Sequence, residues 1–284
     1  MHLWLSLELA LPRPSGEPPR KRVFVTTHGG TYLSWIPGFI FCVLLLLTVP
    51  AYTQTTELTD TLKKPPASVH YTHAGNYKAW LSYPSSMIPG KKYPVIVYNY
   101  DEFVDWTGLE LAKKRGYDIF AIMARFNKWG FICIVPQERY HKLNALKGAI
   151  AYANRLPRAG DIHLVGMSEG AFLSILSLED SPHVSSITAI LPLAIHDTGK
   201  FSLAEILRRK EIAKIPMLLL LGTAEKRWRT KDTQLIQRIY AQNNQQIRVK
   251  TYYEKREWFW QPDQTFMWDI YNYIMGSPPP VTEP

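Results

Sequence analysis

Ser168 is the residue of this chain best placed to do covalent chemistry. It stands at the centre of Gly166-Met167-Ser168-Glu169-Gly170. An apolar run, Ile162 to Val165, precedes this pentapeptide, and a helical stretch, Ala171 to Leu178, follows it. A strand that turns sharply into a helix through G-x-S-x-G forces the central residue into strained geometry, and the glycines keep neighbouring atoms clear. The serine hydroxyl then projects above the sheet at the positive end of a helix dipole. Such a nucleophile needs a base, an acid and donors for an oxyanion. One base candidate is His196, which has Asp197 beside it. No histidine follows His196.

These residues need elements to hold them. Tyr93 to Tyr98 and Phe131 to Val135 are continuous apolar runs, as strands buried on both faces should be. Ser68 to Tyr83 alternates and breaks at Ala74-Gly75-Asn76, which predicts a hairpin. Further strands are expected over 162–165, 186–195, 216–221 and 247–253. Helices are expected over 108–128, 143–156, 171–178, 202–213, 230–243 and 264–275, the first interrupted by Gly116. Strands alternating with helices imply a mostly parallel sheet covered on both faces, an α/β class. In such sheets the active groups gather beyond the carboxyl ends of the strands. That rule selects the loops 99–106, 136–141, 196–199, 222–229 and 254–260, together with the serine turn.

The order and spacing of these segments from Ser68 to Met275 resemble the α/β-hydrolase fold, and within it small single-domain proteins of the dienelactone-hydrolase and esterase type. The resemblance implies a serine hydrolase acting on small ester-like substrates, with no cofactor. It places the triad acid in a Gly-x-x-Asp turn, here Gly222-Thr223-Ala224-Glu225. It also implies a histidine base after the last strand, where this chain carries Glu257 by register. Three readings follow: a hydrolase fold without hydrolase activity, a Glu257 base with a pKa raised among Trp258, Phe259 and Trp260, or His196 as a displaced base. For the oxyanion, the backbone of Tyr100 or Asp101 is expected to act with that of Glu169. Asp101, Glu102 and Asp105 would surround this hole with negative charge, unless they simply mark a helix N-terminus. Glu102 is expected to pair with Arg139 and, with Trp258, to shape the pocket.

Composition narrows the classes. The 284 residues, 46% of them hydrophobic, suffice for one sizeable core. The net charge of +9 is spread over predicted helix faces without a long basic run, so no nucleic-acid partner is expected. Asp101, Asp105, Glu138 and His141 show no metal-ligand spacing, and no metal is expected. Cys42 and Cys133 imply no disulfide framework.

Trp35 to Val49 is apolar but shorter than the roughly 20 residues of a membrane span. It suits the apolar core of an export signal, with Val49-Pro50-Ala51 as the cleavage site. The expected organisation is an extension and signal over 1–51, a linker over 52–67, the hydrolase domain over 68–276 and a Pro-rich tail over 277–284. The product would be secreted or periplasmic, or membrane-anchored through the N-terminal segment if uncleaved. Nothing in the sequence sets the oligomeric state.

Overall fold

The computed structural model describes residues 66–181, 183–191, 195–196, 201–209, 212, 214–222, 227–243, 247–252 and 265–276. They build one eight-stranded sheet and a separate two-stranded ribbon. The chain enters through the hairpin β1 (Ala67–Thr72) and β2 (Asn76–Ser82), antiparallel and in register from Ala67 against Leu81 to Thr72 against Asn76. Then come β3 (Tyr93–Asn99), α1 (Phe103–Thr107), α2 (Leu109–Lys114), α3 (Ile119–Lys128) and β4 (Ile132–Pro136). After these follow α4 (Lys142–Asn154), β5 (Ala159–Met167), α5 (Glu169–Ser177) and β6 (Val184–Ile190). The ribbon pairs β7 (Ile195–His196) with β8 (Phe201–Ser202), and α6 (Leu203–Leu207), β9 (Met217–Gly222) and β10 (Ile247–Tyr252) complete the main run. The helix Arg227–Gln242 joins β9 to β10, and Phe266–Met275 is the last described helix.

The strand order is β1-β2-β4-β3-β5-β6-β9-β10. Within this sheet the two pairings made by β2 are antiparallel and the other five parallel. The chain runs from β3 to one side, to β4, and then returns to the other side of β3 with β5. The order therefore reverses between β3 and β5, and a crevice opens there beyond the strand ends. Asn99 at the end of β3 lies in register with Gly166 in β5. The serine turn and the loop after β3 thus face each other across that crevice.

Alternation along the strands feeds two cores. Val95, Val97, Ile162 and Leu164 pack with α4, α5 and Tyr240 on one face. Ile96, Tyr98, Val165 and Met167 pack with α3 and with Phe266, Met267 and Ile270 on the other. This is why both central strands read as unbroken apolar runs. Cys133 is buried in β4, and burial pushes its thiol pKa up.

Several elements differ from the sequence expectation, among them the helix expected over 202–213, where α6 ends at Leu207. The helix expected over 108–128 is two: Gly116 takes a positive φ of 90°, and the Asp118 carboxylate then caps α3 by accepting from the Ala121 N–H at 3.0 Å. A short helix, α1, forms inside the expected loop 99–106. The strand expected over 186–195 starts earlier and stops at Ile190, because Leu191 turns to φ +48°.

One buried group in the sheet couples folding to pH. His163 on β5 is 7% exposed, its Nδ1 lies 2.8 Å from the Ser186 hydroxyl, and burial lowers its pKa from 6.5 to about 4 against the opposing pull of Asp161. The unfolded chain takes up this proton near the ordinary value, while the folded chain refuses it until about 4. Stability is therefore complete above about pH 6.5 and is lost as pH falls towards 4, by about 3 kcal/mol for this one group. Urea unfolding of wild type and His163→Asn at several pH values checks this, with a flatter acid dependence expected in the variant.

Candidate active site at the strand–helix turn

The turn has the geometry that its glycines imply. Ser168 takes φ 52° and ψ −112°, a backbone region costing about 1–3 kcal/mol, which persists only where the surroundings enforce it. They do so from several sides. The Ser168 N–H donates to the Ile190 carbonyl at 2.8 Å. A side chain on Gly166 would come within 2.5 Å of the Ala171 Cα, and one on Gly170 within 2.1 Å of the Asn99 carbonyl oxygen. The Asn99 side-chain amide donates to the Gly170 carbonyl at 3.1 Å and ties the first turn of α5 to the end of β3. Ser168 itself is 7% exposed and directly precedes α5, at the positive end of that helix.

The loop after β3 carries Asp101. Asp101 Oδ1 accepts from the Phe103 N–H at 2.7 Å, which opens α1. Burial raises the Asp101 pKa, opposed by the Phe103 N–H and the Ser168 side chain and assisted by Glu102 and Glu169. The Asp101 backbone N–H, expected among the oxyanion donors, is instead engaged by Tyr117 Oη at 3.2 Å. The cause is burial: the Tyr98 and Tyr117 hydroxyls lie 2.6 Å apart inside the core, and a buried hydroxyl must find partners. Tyr100 follows β3 and Glu169 opens α5, the other two positions expected to frame an oxyanion.

The acids of this loop are not left as bare negative charge. Lys142, the first residue of α4, lies 2.6 Å from Asp105 Oδ2 and also pairs with Glu169 Oε2. The three side chains are 11%, 9% and 10% exposed, so this is a buried ionic cluster at the residue that follows Ser168. Burial alone would push the Lys142 pKa down, but Glu169 and Asp105 outweigh it and raise it. Tyr100 Oη donates to Asp105 Oδ1 at 3.1 Å and extends the network. The only sequence signal for this cluster is a lysine opening a helix in a loop the strand-end rule selects.

Glu102 and Arg139 do not come together as expected. Glu102 is exposed, and the Arg139 guanidinium lies over the Trp106 ring at 4.8 Å and the Tyr140 ring at 5.4 Å. Glu138 accepts from the Arg139 and Tyr140 N–H groups, and no three potential metal ligands gather among the described residues. His196 lies on β7, paired with Phe201, rather than at the end of the strand beside β5. Its side chain, like Asp197, Glu225, Glu257 and Trp258, lies outside the described residues, as does the segment Trp35–Val49. Among the described residues no helix is long and apolar enough to cross a membrane. Two surface clefts, of about 380 and 480 Å³, lie along α4 and contain no residue of the serine turn.

No family model and no curated protein matches this chain. Solved structures do match. The acylaminoacyl peptidase of Pyrococcus horikoshii shares 12% identity with a TM-score of 0.59 over 78% of this chain and 43% of its own. Est1E from Butyrivibrio proteoclasticus shares 11% identity with a TM-score of 0.54 over 74% of this chain and 98% of its own. Porphyromonas gingivalis dipeptidyl peptidase 4 shares 15% identity with a TM-score of 0.53 over 75% of this chain and 35% of its own. The chain spans less than half the length of the two peptidases and nearly all of Est1E. Together with the sheet order and the serine turn, these likenesses show that the chain has the α/β-hydrolase fold, its N-terminal hairpin included.

Proposed function

We propose that the protein is a serine hydrolase that transfers the acyl group of small ester-like substrates through Ser168. The observation that carries this is the strained backbone of Ser168, held at the crevice where the strand order reverses. Strain of this kind needs several enforcing contacts, and here they serve to raise one hydroxyl at a helix N-terminus. The backbone N–H groups of Tyr100 and Glu169 frame the oxyanion, while Lys142 offsets the negative charge of Glu169 and Asp105 next to it. Glu225 remains our assignment for the triad acid. Export, with cleavage after Ala51, is part of the same reading and rests on the apolar segment Trp35–Val49.

The missing histidine after His196 favours a second reading, a hydrolase fold that binds a ligand without turning it over. Covalent capture separates the two. A fluorophosphonate is expected to label wild-type protein and not Ser168→Ala; no labelling of the wild type across neutral to alkaline pH would select the silent reading.

A further inference from the structure

We propose that Lys142 is a positioning residue of this site, clasping together the two residues whose backbone N–H groups frame the oxyanion. The inference rests on the reading of Ser168 as nucleophile, and it names what sets the spacing of the oxyanion donors. Those donors, Tyr100 and Glu169, belong to different elements: one follows β3 and the other opens α5. Two donors act together only if both reach the position that the oxyanion takes, so something must fix one against the other.

A continuous chain of side chains does this. Tyr100 Oη donates to Asp105 Oδ1 at 3.1 Å, Lys142 Nζ lies 2.6 Å from Asp105 Oδ2, and the same Nζ pairs with Glu169 Oε2. The chain begins on one oxyanion residue and ends on the other. It takes in α1 through Asp105 and α4 through Lys142, so the end of β3 and three helices are joined through one ammonium group. Tyr100 is buried and the charged side chains nearly so. A network in such a setting is stiff, because a charge that let go would stay desolvated and unpaired. The Asn99–Gly170 hydrogen bond ties the same two segments at their backbone, and the ionic chain adds a second tie further out. Lys142 suits this role rather than proton transfer. Burial alone would lower its pKa, but Glu169 and Asp105 outweigh it, so the ammonium stays charged through neutral pH.

The position of the clasp decides which kinetic quantity it governs. Oxyanion donors act on charge that develops in the transition state, so a clasp that spaces them acts on kcat and leaves KM nearly alone. A cluster that only holds the fold together acts on the amount of folded protein instead. Displacing a group by about 1 Å costs about 10²-fold in rate, and losing one donor outright costs about 10²- to 10³-fold.

The test is the rate constant for fluorophosphonate labelling of the full chain, with kcat and KM for p-nitrophenyl acetate, in wild type, Tyr100→Phe, Lys142→Met, and Lys142→Met combined with Asp105→Asn and Glu169→Gln. A first-order labelling constant does not depend on how much of the sample is folded. Tyr100→Phe keeps the backbone N–H and removes only the hydroxyl that begins the chain, and should label about tenfold more slowly. Lys142→Met should label about 10²-fold more slowly, with kcat lowered alike and KM within about threefold of wild type. The triple variant separates positioning from stability. It leaves no member of the cluster charged, so it should fold like wild type and still label about 10²-fold more slowly. A stable triple variant within about threefold of the wild-type rate would overturn the proposal and leave Ser168 as nucleophile, since a purely structural cluster is repaired once its charges are gone. A wild-type rate in Tyr100→Phe would overturn it too, and this variant decides the matter if the lysine variants do not fold. So would a KM that rises while kcat holds, because the cluster would then bind substrate rather than space the donors. An unlabelled wild type overturns the nucleophile reading itself, and the clasp falls with it.

Discussion

Gly170→Ala is expected to destabilise the protein by about 3 kcal/mol or more, a large share of the roughly 5–15 kcal/mol that holds an ordinary domain folded. The new methyl group would lie 2.1 Å from the Asn99 carbonyl oxygen and 2.6 Å from that of Tyr100, so it meets backbone rather than a side chain that can swing away. Relief requires α5 to move off β3. That movement breaks the Asn99–Gly170 hydrogen bond and shifts Ser168 at the same time. Alanine is otherwise the better helix former, so an unconstrained glycine here would show the opposite sign. Chemical denaturation followed by circular dichroism measures the change. A midpoint equal to or above that of the wild type would show that α5 does not press on β3 as described.

Lys142→Met is the second large effect, and its origin is electrostatic. The substitution keeps most of the side-chain volume and removes a cation shared by Asp105 and Glu169. Two carboxylates, each about 10% exposed, would then lie close together without the lysine charge. Breaking a buried pair in this way costs about 3–5 kcal/mol, because the partner charge stays desolvated. Adding Asp105→Asn and Glu169→Gln to the same chain should restore most of the loss, since neutral amides carry no such penalty. The raised Lys142 pKa fixes the pH window: its stabilisation is full below the unfolded value near 10.5 and is lost only as pH rises through the higher folded value. Urea titrations at neutral pH check this. A loss under about 1 kcal/mol would mean that water already solvates both carboxylates.

The parts of the site legible in the sequence are those fixed by short stretches of chain. Gly166, Ser168 and Gly170 meet their structural requirement within five residues, so the pattern and its strand–helix setting announce it. The hairpin break at Ala74-Gly75-Asn76 and the apolar run of β3 are local in the same way. What could not be read was tertiary. Lys142 and Glu169 are 27 positions apart and meet only because α4 and α5 pack side by side. On its own, a lysine at a helix start reads as a solvated charge. Asp101 was legible as an acid at the start of α1, and it is one. That its N–H goes to Tyr117 depends on a side-chain direction that no spacing encodes. Arg139 shows the same limit, since a nearby acid and two nearby rings were equally available and the rings took the guanidinium.

The central claim is that the Ser168 hydroxyl is a nucleophile. Its most direct measurement is the intact mass of the full chain after exposure to a fluorophosphonate, followed by peptide mapping. The account predicts a single adduct on Ser168, absent after thermal denaturation and absent in Ser168→Ala. An unmodified wild-type protein, or an adduct on any other residue that survives in Ser168→Ala, would contradict it.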